Sequence, residues 1–211
     1  MKKTICIFAF SILFCPLALF GQESKITNKF LYGAGGDLGF FHPSAFYDYV
    51  ERYAAANNLE STSSIDGLNF APRAFVGYRL NPRIDLMLVG EYAISQKTTY
   101  LKTNVGLGDK FGFNKLSGGL LLTYNIVPLT PKMGIIVSGG ILYNHITMEG
   151  NKESLRSNSS IGFRLQSGVG FYSTDKFSLQ SLIGYDYARA NDRGFDLNYS
   201  GVKIGINIIF L

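Results

Sequence analysis

The 211-residue chain has no tryptophan, two cysteines and two histidines. Each shortage closes a route. Cys6 and Cys15 both precede Gly21, so the sequence beyond it offers no disulfide, thiol nucleophile or thiolate metal site. His42 and His145 have no second ligand-type residue close in sequence, which leaves a metal centre without support. No cofactor is expected. Beyond Gly21 there is also no run approaching the ~18 apolar residues of a membrane-spanning helix. Charge is sparse, at 17% of residues, and the formal balance of +5 is too small to imply a nucleic-acid partner.

The first residues carry a different pattern. Lys2 and Lys3 precede an apolar run from Ile5 to Phe20, and Ala18-Leu19-Phe20-Gly21 offers a cleavage site before Gln22. This is the layout of a secretory signal peptide over 1–21. Cys15 follows Phe14 rather than a small residue, which argues against a lipoprotein signal. Lys2 and Lys3 leave with the segment and take the formal charge from +5 to +3. Residues 22–29 are read as a short periplasmic lead-in, and 30–211 as one domain.

What the domain does have is apolar, glycine-rich and aromatic: 46% hydrophobic residues, 24 Gly, 17 Phe and 13 Tyr in the whole chain. Residues 197–211 show how these are arranged. Val202, Ile204, Ile206, Ile208 and Phe210 alternate with Gly201, Lys203, Gly205 and Asn207. A period of two is a strand with unlike faces. The pattern recurs near 30–41, 68–80, 84–96, 113–126, 134–147, 160–172 and 177–190, which makes eight strands. Each exceeds the ~9–11 residues that a tilted strand needs to cross a bilayer.

Asn81-Pro82-Arg83, Pro128 to Pro131 and Ser173 to Lys176 are short turns, whereas 42–67, 97–112, 148–159 and 191–196 connect the other ends. Short turns opposite longer loops is the habit of outer-membrane barrels. An even strand number puts both termini on the short-turn, periplasmic side. The first long link contains a helical stretch, 44–57. There Phe46, Tyr49, Val50 and Tyr53 share one face, Ser44 is a candidate cap, and Asp48 and Glu51 suit the early turns. It is expected over the external mouth or at the outer leaflet.

The two faces differ in chemistry. The outward face is uncharged across its middle and carries aromatics at both margins. Tyr32, Tyr78, Tyr124, Phe171, Phe177 and Phe210 form a periplasmic girdle. Phe40, Phe70, Tyr92, Tyr143, Phe163 and Tyr187 form an external one. The inward face holds Asp37, Arg73, Asp85, Glu91, Lys115, Arg164, Asp186 and Lys203. All but Asp85 and Lys115 fall near mid-depth and alternate in sign, with Lys203 between Asp186 and Asp37 across the closing seam. Buried charges must be paired, and eight strands enclose an interior that side chains fill. A polar plug of ion pairs is expected rather than a channel. The loop charges, among them Lys97, Asp109, Glu149 and Arg156, read as a solvated surface.

Two local patterns suggest chemistry. Gly33-Ala34-Gly35-Gly36-Asp37-Leu38-Gly39 has the glycine content of a nucleotide loop but the wrong spacing, with Leu38 where the third glycine belongs. His145 and Thr147 share the outward face near the external end and would need an orienting acid to act as a catalytic pair.

The signal peptide, eight two-faced strands, alternating connection lengths and the terminal Gly201 to Leu211 resemble the small outer-membrane barrel families, of the OmpA/OmpX-like type. The resemblance covers 30–211. It implies an eight-stranded antiparallel up-and-down transmembrane β-barrel with a short helix in its first extracellular loop, embedded in outer-membrane lipid of a Gram-negative envelope. It also implies a terminal strand read by the barrel-assembly machinery, although the aromatic Phe210 is penultimate here. Some outer-membrane lipid A deacylases use a His-x-Ser motif on the outer wall; this chain has His145-Ile146-Thr147. The expected function is non-enzymatic, structural or surface-interacting, with an extracellular ligand to be sought at the loops. The alternatives are a small pore or lateral conduit, with outward Ala34 and Gly36 as its weak spot, and a lipid A-modifying enzyme.

Overall fold

The computed structural model describes residues 30–41, 43–61, 68–101, 107–130, 133–150, 153–174 and 177–210. The signal peptide, the lead-in 22–29 and His42 lie outside the described residues. In chain order the elements are β1 (Phe30–Phe41), α1 (Ser44–Ala56), β2 (Leu59–Ser61), β3 (Leu68–Asn81), β4 (Ile84–Leu101) and β5 (Leu107–Thr130). They continue with β6 (Met133–Gly150), β7 (Glu153–Thr174), β8 (Phe177–Tyr187), β9 (Arg189–Asp192), β10 (Phe195–Asn198) and β11 (Gly201–Phe210).

Eight strands close on themselves. β1 pairs with β3, then β4, β5, β6, β7, β8 and β11 follow in order, and β11 returns to β1. All pairings are antiparallel. At the seam, register runs unbroken from Tyr32↔Phe210 to Phe41↔Gly201. β1 therefore begins and β11 ends at the end of the short turns. One of those turns is built by Asn81, whose Oδ1 accepts from the amides of Arg83 and Ile84 at 2.9 and 3.0 Å, the Asx geometry that favours this residue.

The wall is lopsided, which the sequence did not suggest. β4, β5, β6 and β7 run 18, 24, 18 and 22 residues, whereas β8 and β11 run 11 and 10. The links 97–112 and 148–159, read as loops, are mostly strand. β4 and β5 pair out to Tyr100↔Leu107, and β6 and β7 out to Gly150↔Glu153. The segment 191–196 belongs to the β9–β10 hairpin, turned by Arg193 and Gly194 at positive φ. The seventh and eighth strands are broken at Ala188 and at Tyr199-Ser200, where the Tyr199 amide donates to the Ala188 carbonyl at 2.7 Å. At the other end β5 runs through Pro128 to Thr130, residues read as part of a short turn.

No side chain caps the start of α1: Pro43 precedes it, Ser44 makes no cap, and its first turn holds no acid, whereas at its end the Asn57 side-chain amide donates to the Tyr53 carbonyl at 2.9 Å. It is held by its apolar face. Phe46, Tyr47, Val50 and Ala54 are buried, and Tyr49 and Tyr53 pack partly against the same cluster. Of the two sites expected for it, the helix takes the mouth.

The barrel inverts the soluble pattern. Ile161, Ile141 and Leu165 are 74, 64 and 60% exposed, whereas Arg164, Asp186 and Lys115 are at most 2% exposed. Among the outward aromatics, Tyr32, Phe40, Phe70, Tyr78, Tyr92, Tyr143, Phe163, Phe171, Tyr187 and Phe210 are exposed, and Tyr124 and Phe177 are half-buried. Their registers set them in two rows, with stacked pairs Tyr32–Phe210 at one end and Phe163–Tyr187 towards the other. A surface this apolar is stable where lipid covers it.

Candidate functional site

The interior is stratified, with a charged layer between an aromatic one and a mixed apolar and polar one. Nearest the short turns, Leu31, Phe75, Met87, Val89, Leu121, Leu142 and Ile209 form one buried cluster. Below and around it, polar groups pair off: Arg79 with Asp85 at 2.8 Å and Thr123 with Ser138 at 3.1 Å. Under the helix, Phe41, Phe46, Phe113 and Tyr199 stack with centroid separations of 4.1–6.1 Å.

Between them lies the charge cluster. Six of its seven members alternate around the wall, but their side chains meet across the lumen. Arg164 on β7 donates to Asp186 on β8 at 2.6 Å and to Glu91 on β4 at 2.7 Å, and stands 3.9 Å from Asp37 on β1. Lys203 on β11 reaches Glu91 at 2.6 Å, Asp186 at 3.0 Å and Asp37 at 3.7 Å. Arg73 on β3 holds Asp37 at 2.9 Å and donates to Asn207 at 2.7 Å. Lys115, set apart from mid-depth by counting along its strand, reaches into the cluster to Asp186 at 3.0 Å and Glu91 at 3.4 Å. Asp85 stays outside it, with Arg79. Among the described residues the cluster thus combines four cations with three carboxylates.

Gly205 makes room for this arrangement. A Cβ there would lie 1.8 Å from Asp37 Oδ1 and 3.0 Å from Arg73 Nη2. The glycine is required by the carboxylate on the next strand, not by a turn.

The mouth shows what strand reading missed. Lys97, expected in a solvated loop, is 3% exposed beneath α1, 4.6 Å from the Tyr47 ring centroid and 3.4 Å from Glu51. Tyr53 hydrogen-bonds the Asp109 carboxylate, and that bond, with the nearby charge, holds its phenol above the usual range. Arg156 stays nearer the surface, 3.7 Å from Asp192. Phe111 and Phe113 share the parity of Lys115 and so face inward. That parity was the available clue to an aromatic chamber above the charges.

Other candidates fall apart. His145 Nδ1 lies 2.9 Å from Ser159 Oγ on the neighbouring strand rather than serving Thr147, and no carboxylate pairs with the ring among the described residues. At the suggested weak spot, Ala34 and Gly36 are paired on both sides without interruption, and a Cβ added at Gly36 would meet the Phe70 ring at 3.2 Å. The glycine-rich segment 33–39 is simply part of β1. Among the described residues no cluster of His, Cys, Asp and Glu could hold a metal.

Comparison with protein-family models finds no match, and neither does comparison with curated proteins. Solved structures do match in fold. Neisserial surface protein A aligns at TM-score 0.55 and 17% identity, covering 86% of this chain and 96% of that one. The outer membrane protein OprG of Pseudomonas aeruginosa aligns at 0.55 and 12%, covering 89 and 98%. The N-terminal barrel domain of OprF from the same species aligns at 0.50 and 14%, covering 87 and 96%. The chain has the fold of these small outer-membrane barrels.

Proposed function

We infer that this protein is a non-enzymatic outer-membrane barrel whose role is structural or surface-interacting: a sealed wall that displays a structured cap. The observation that carries this reading is the stratified interior. An ionic layer, cross-linked from β1, β3, β4, β5, β7, β8 and β11, is flanked towards the short turns by an apolar cluster with hydrogen-bonded polar side chains beside it, and towards the helix by an aromatic layer. An open channel needs a solvent-filled polar path; the aromatic layer interrupts it, and below the charges the Arg73–Asn207–Gln180 chain is made of side chains that bond one another in an interior that eight strands leave just wide enough for side chains to fill.

The exposed apolar wall supports outer-membrane lipid as the surrounding partner, with the two aromatic rows at its interfaces. The short-turn end, with both termini, is assigned to the periplasm, and α1 with the tall β4–β7 wall to the outside. Removal of 1–21 on export and delivery of β11 to the barrel-assembly machinery belong to the same reading. The cap formed by α1, the β9–β10 hairpin and the tall wall is the surface on which an extracellular ligand is to be sought.

Uptake into proteoliposomes tests the reading. Liposomes carrying the heat-modifiable, folded barrel should swell no faster in a small sugar than empty ones. Swelling at the rate of a general porin would overturn it.

A further inference from the structure

α1 occupies a chamber that the barrel wall makes without it. Phe41, Phe113, Ile146, Met148 and Tyr199 line the space, and the helix fills it with Phe46, Tyr47 and Val50. One polar contact accompanies this apolar plug at the rim. Glu51, itself 61% exposed, meets Lys97, whose side chain is 3% exposed. The Lys97 ammonium is thus buried by the helix and given a carboxylate by the helix. Without α1, the wall would present an aromatic chamber with a cation at its lip.

Two further observations bear on what fits such a chamber. Beneath its floor the charge cluster carries four cations against three carboxylates, and its uppermost member, Lys115, stands 5.4 Å from the Tyr199 ring. Beside Tyr199 lies the Asn69 amide, and neither the phenol oxygen nor Asn69 Oδ1 makes a hydrogen bond of ordinary geometry.

We propose that the chamber under α1 is a binding site for a long-chain carboxylate, which displaces the helix, lays its chain among Phe41, Phe113 and Tyr199, and sets its carboxylate on Lys97 in place of Glu51. The helix is in this sense a built-in occupant of the same chemistry, apolar along one face and acidic at the lip. The site goes beyond the sealed-barrel reading and does not rest on it, since a ligand held in the mouth leaves the charged layer and the layer below it untouched.

The test is equilibrium binding of radiolabelled palmitate to the barrel in lipid nanodiscs, with empty discs as background and palmitate methyl ester as the uncharged competitor. A spin label on Asp48→Cys, on the exposed face of α1, reports the helix in parallel. The site predicts saturable binding of one palmitate per barrel, a gain in label mobility on binding, and at least tenfold weaker competition by the ester. Two variants separate a site from a loosened helix. Glu51→Gln removes the internal competitor and should tighten palmitate binding several-fold, whereas Lys97→Met removes the carboxylate's partner and should weaken it tenfold or more. Tighter binding in both variants, equal competition by the ester, or no binding above empty discs would overturn the proposal. Loss of sealing in the swelling assay would leave it standing.

Discussion

Lys203 Nζ lies 2.6 Å from Glu91 Oε1, a contact that crosses the lumen from β11 to β4. Neighbouring-strand reasoning sets Lys203 between Asp186 and Asp37, and those contacts exist at 3.0 and 3.7 Å. The shortest, however, is the one across the barrel. Glu91 thereby shares its three cations, Lys203, Arg164 and Lys115, with Asp186 on the far side of the lumen.

The excess of cations sets an order among substitutions. Glu91→Gln leaves four buried cations on two carboxylates and should cost about 3–5 kcal/mol, the range for breaking a buried pair from one side. Lys203→Met leaves three against three. It should lower stability too, because Glu91 and Asp186 lose a close partner, but by less than half as much. Urea unfolding in detergent, followed by gel mobility, ranks them. Equal losses, or the larger loss for Lys203→Met, would show that charge balance is not what the cluster is built on.

Gly205 predicts a steric counterpart. In Gly205→Ala the added methyl meets Asp37 Oδ1 at 1.8 Å and must displace it from Arg73, so about 1–3 kcal/mol of overpacking is expected. Gly90→Ala, on the outer wall with nothing within 4 Å, is the matched control and should be neutral within experimental error. Both are read by the same unfolding assay.

Much of this was legible in the chain, and the limit was physical. The lipid face betrays itself because every second residue must be apolar, so the residues of Val202 to Phe210 and their counterparts could be assigned one by one. Where the wall rises above that face the constraint lapses. Gln96, Thr98 and Lys110 face outward there in polar alternation, and Lys97, Thr99 and Phe111 face inward. Strand 97–101 and strand 107–112 therefore look like loop. Likewise, spacing identified the charged residues, but not that Lys115 would reach into the cluster. Side-chain length matters more across a narrow lumen than position along a strand.

The outer wall makes its own prediction. Leu120, 54% exposed between Leu88 and Ile141, lies on the lipid face midway between the aromatic rows. Leu120→Arg should cost about 2–4 kcal/mol in a bilayer. The same change at Gln96, outward on the tall wall, should cost little. Refolding yield into phospholipid vesicles across a urea series measures both.

The helix predicts a local effect. Phe46→Ala removes a fully buried ring from the Phe113 stack and should weaken the seating of α1 by about 3–5 kcal/mol. Amide exchange should accelerate across 44–56 and remain unchanged in β1, β3 and β11. The Tyr53–Asp109 link adds a pH dependence. A phenol held above its usual value contributes stability that is present below about pH 10 and is lost as pH rises through the raised value. Protection of the helix should therefore be flat around neutrality and fall only in alkali.

Sealing by the charged and lower layers, rather than by the helix alone, is tested most directly by single-channel recording on the barrel with 44–56 replaced by a short glycine-serine linker. Layers that close the lumen by themselves predict a flat baseline at moderate voltage, as for the intact chain. A steady, ohmic conductance from the shortened barrel would contradict them, and would make α1 the plug of a channel.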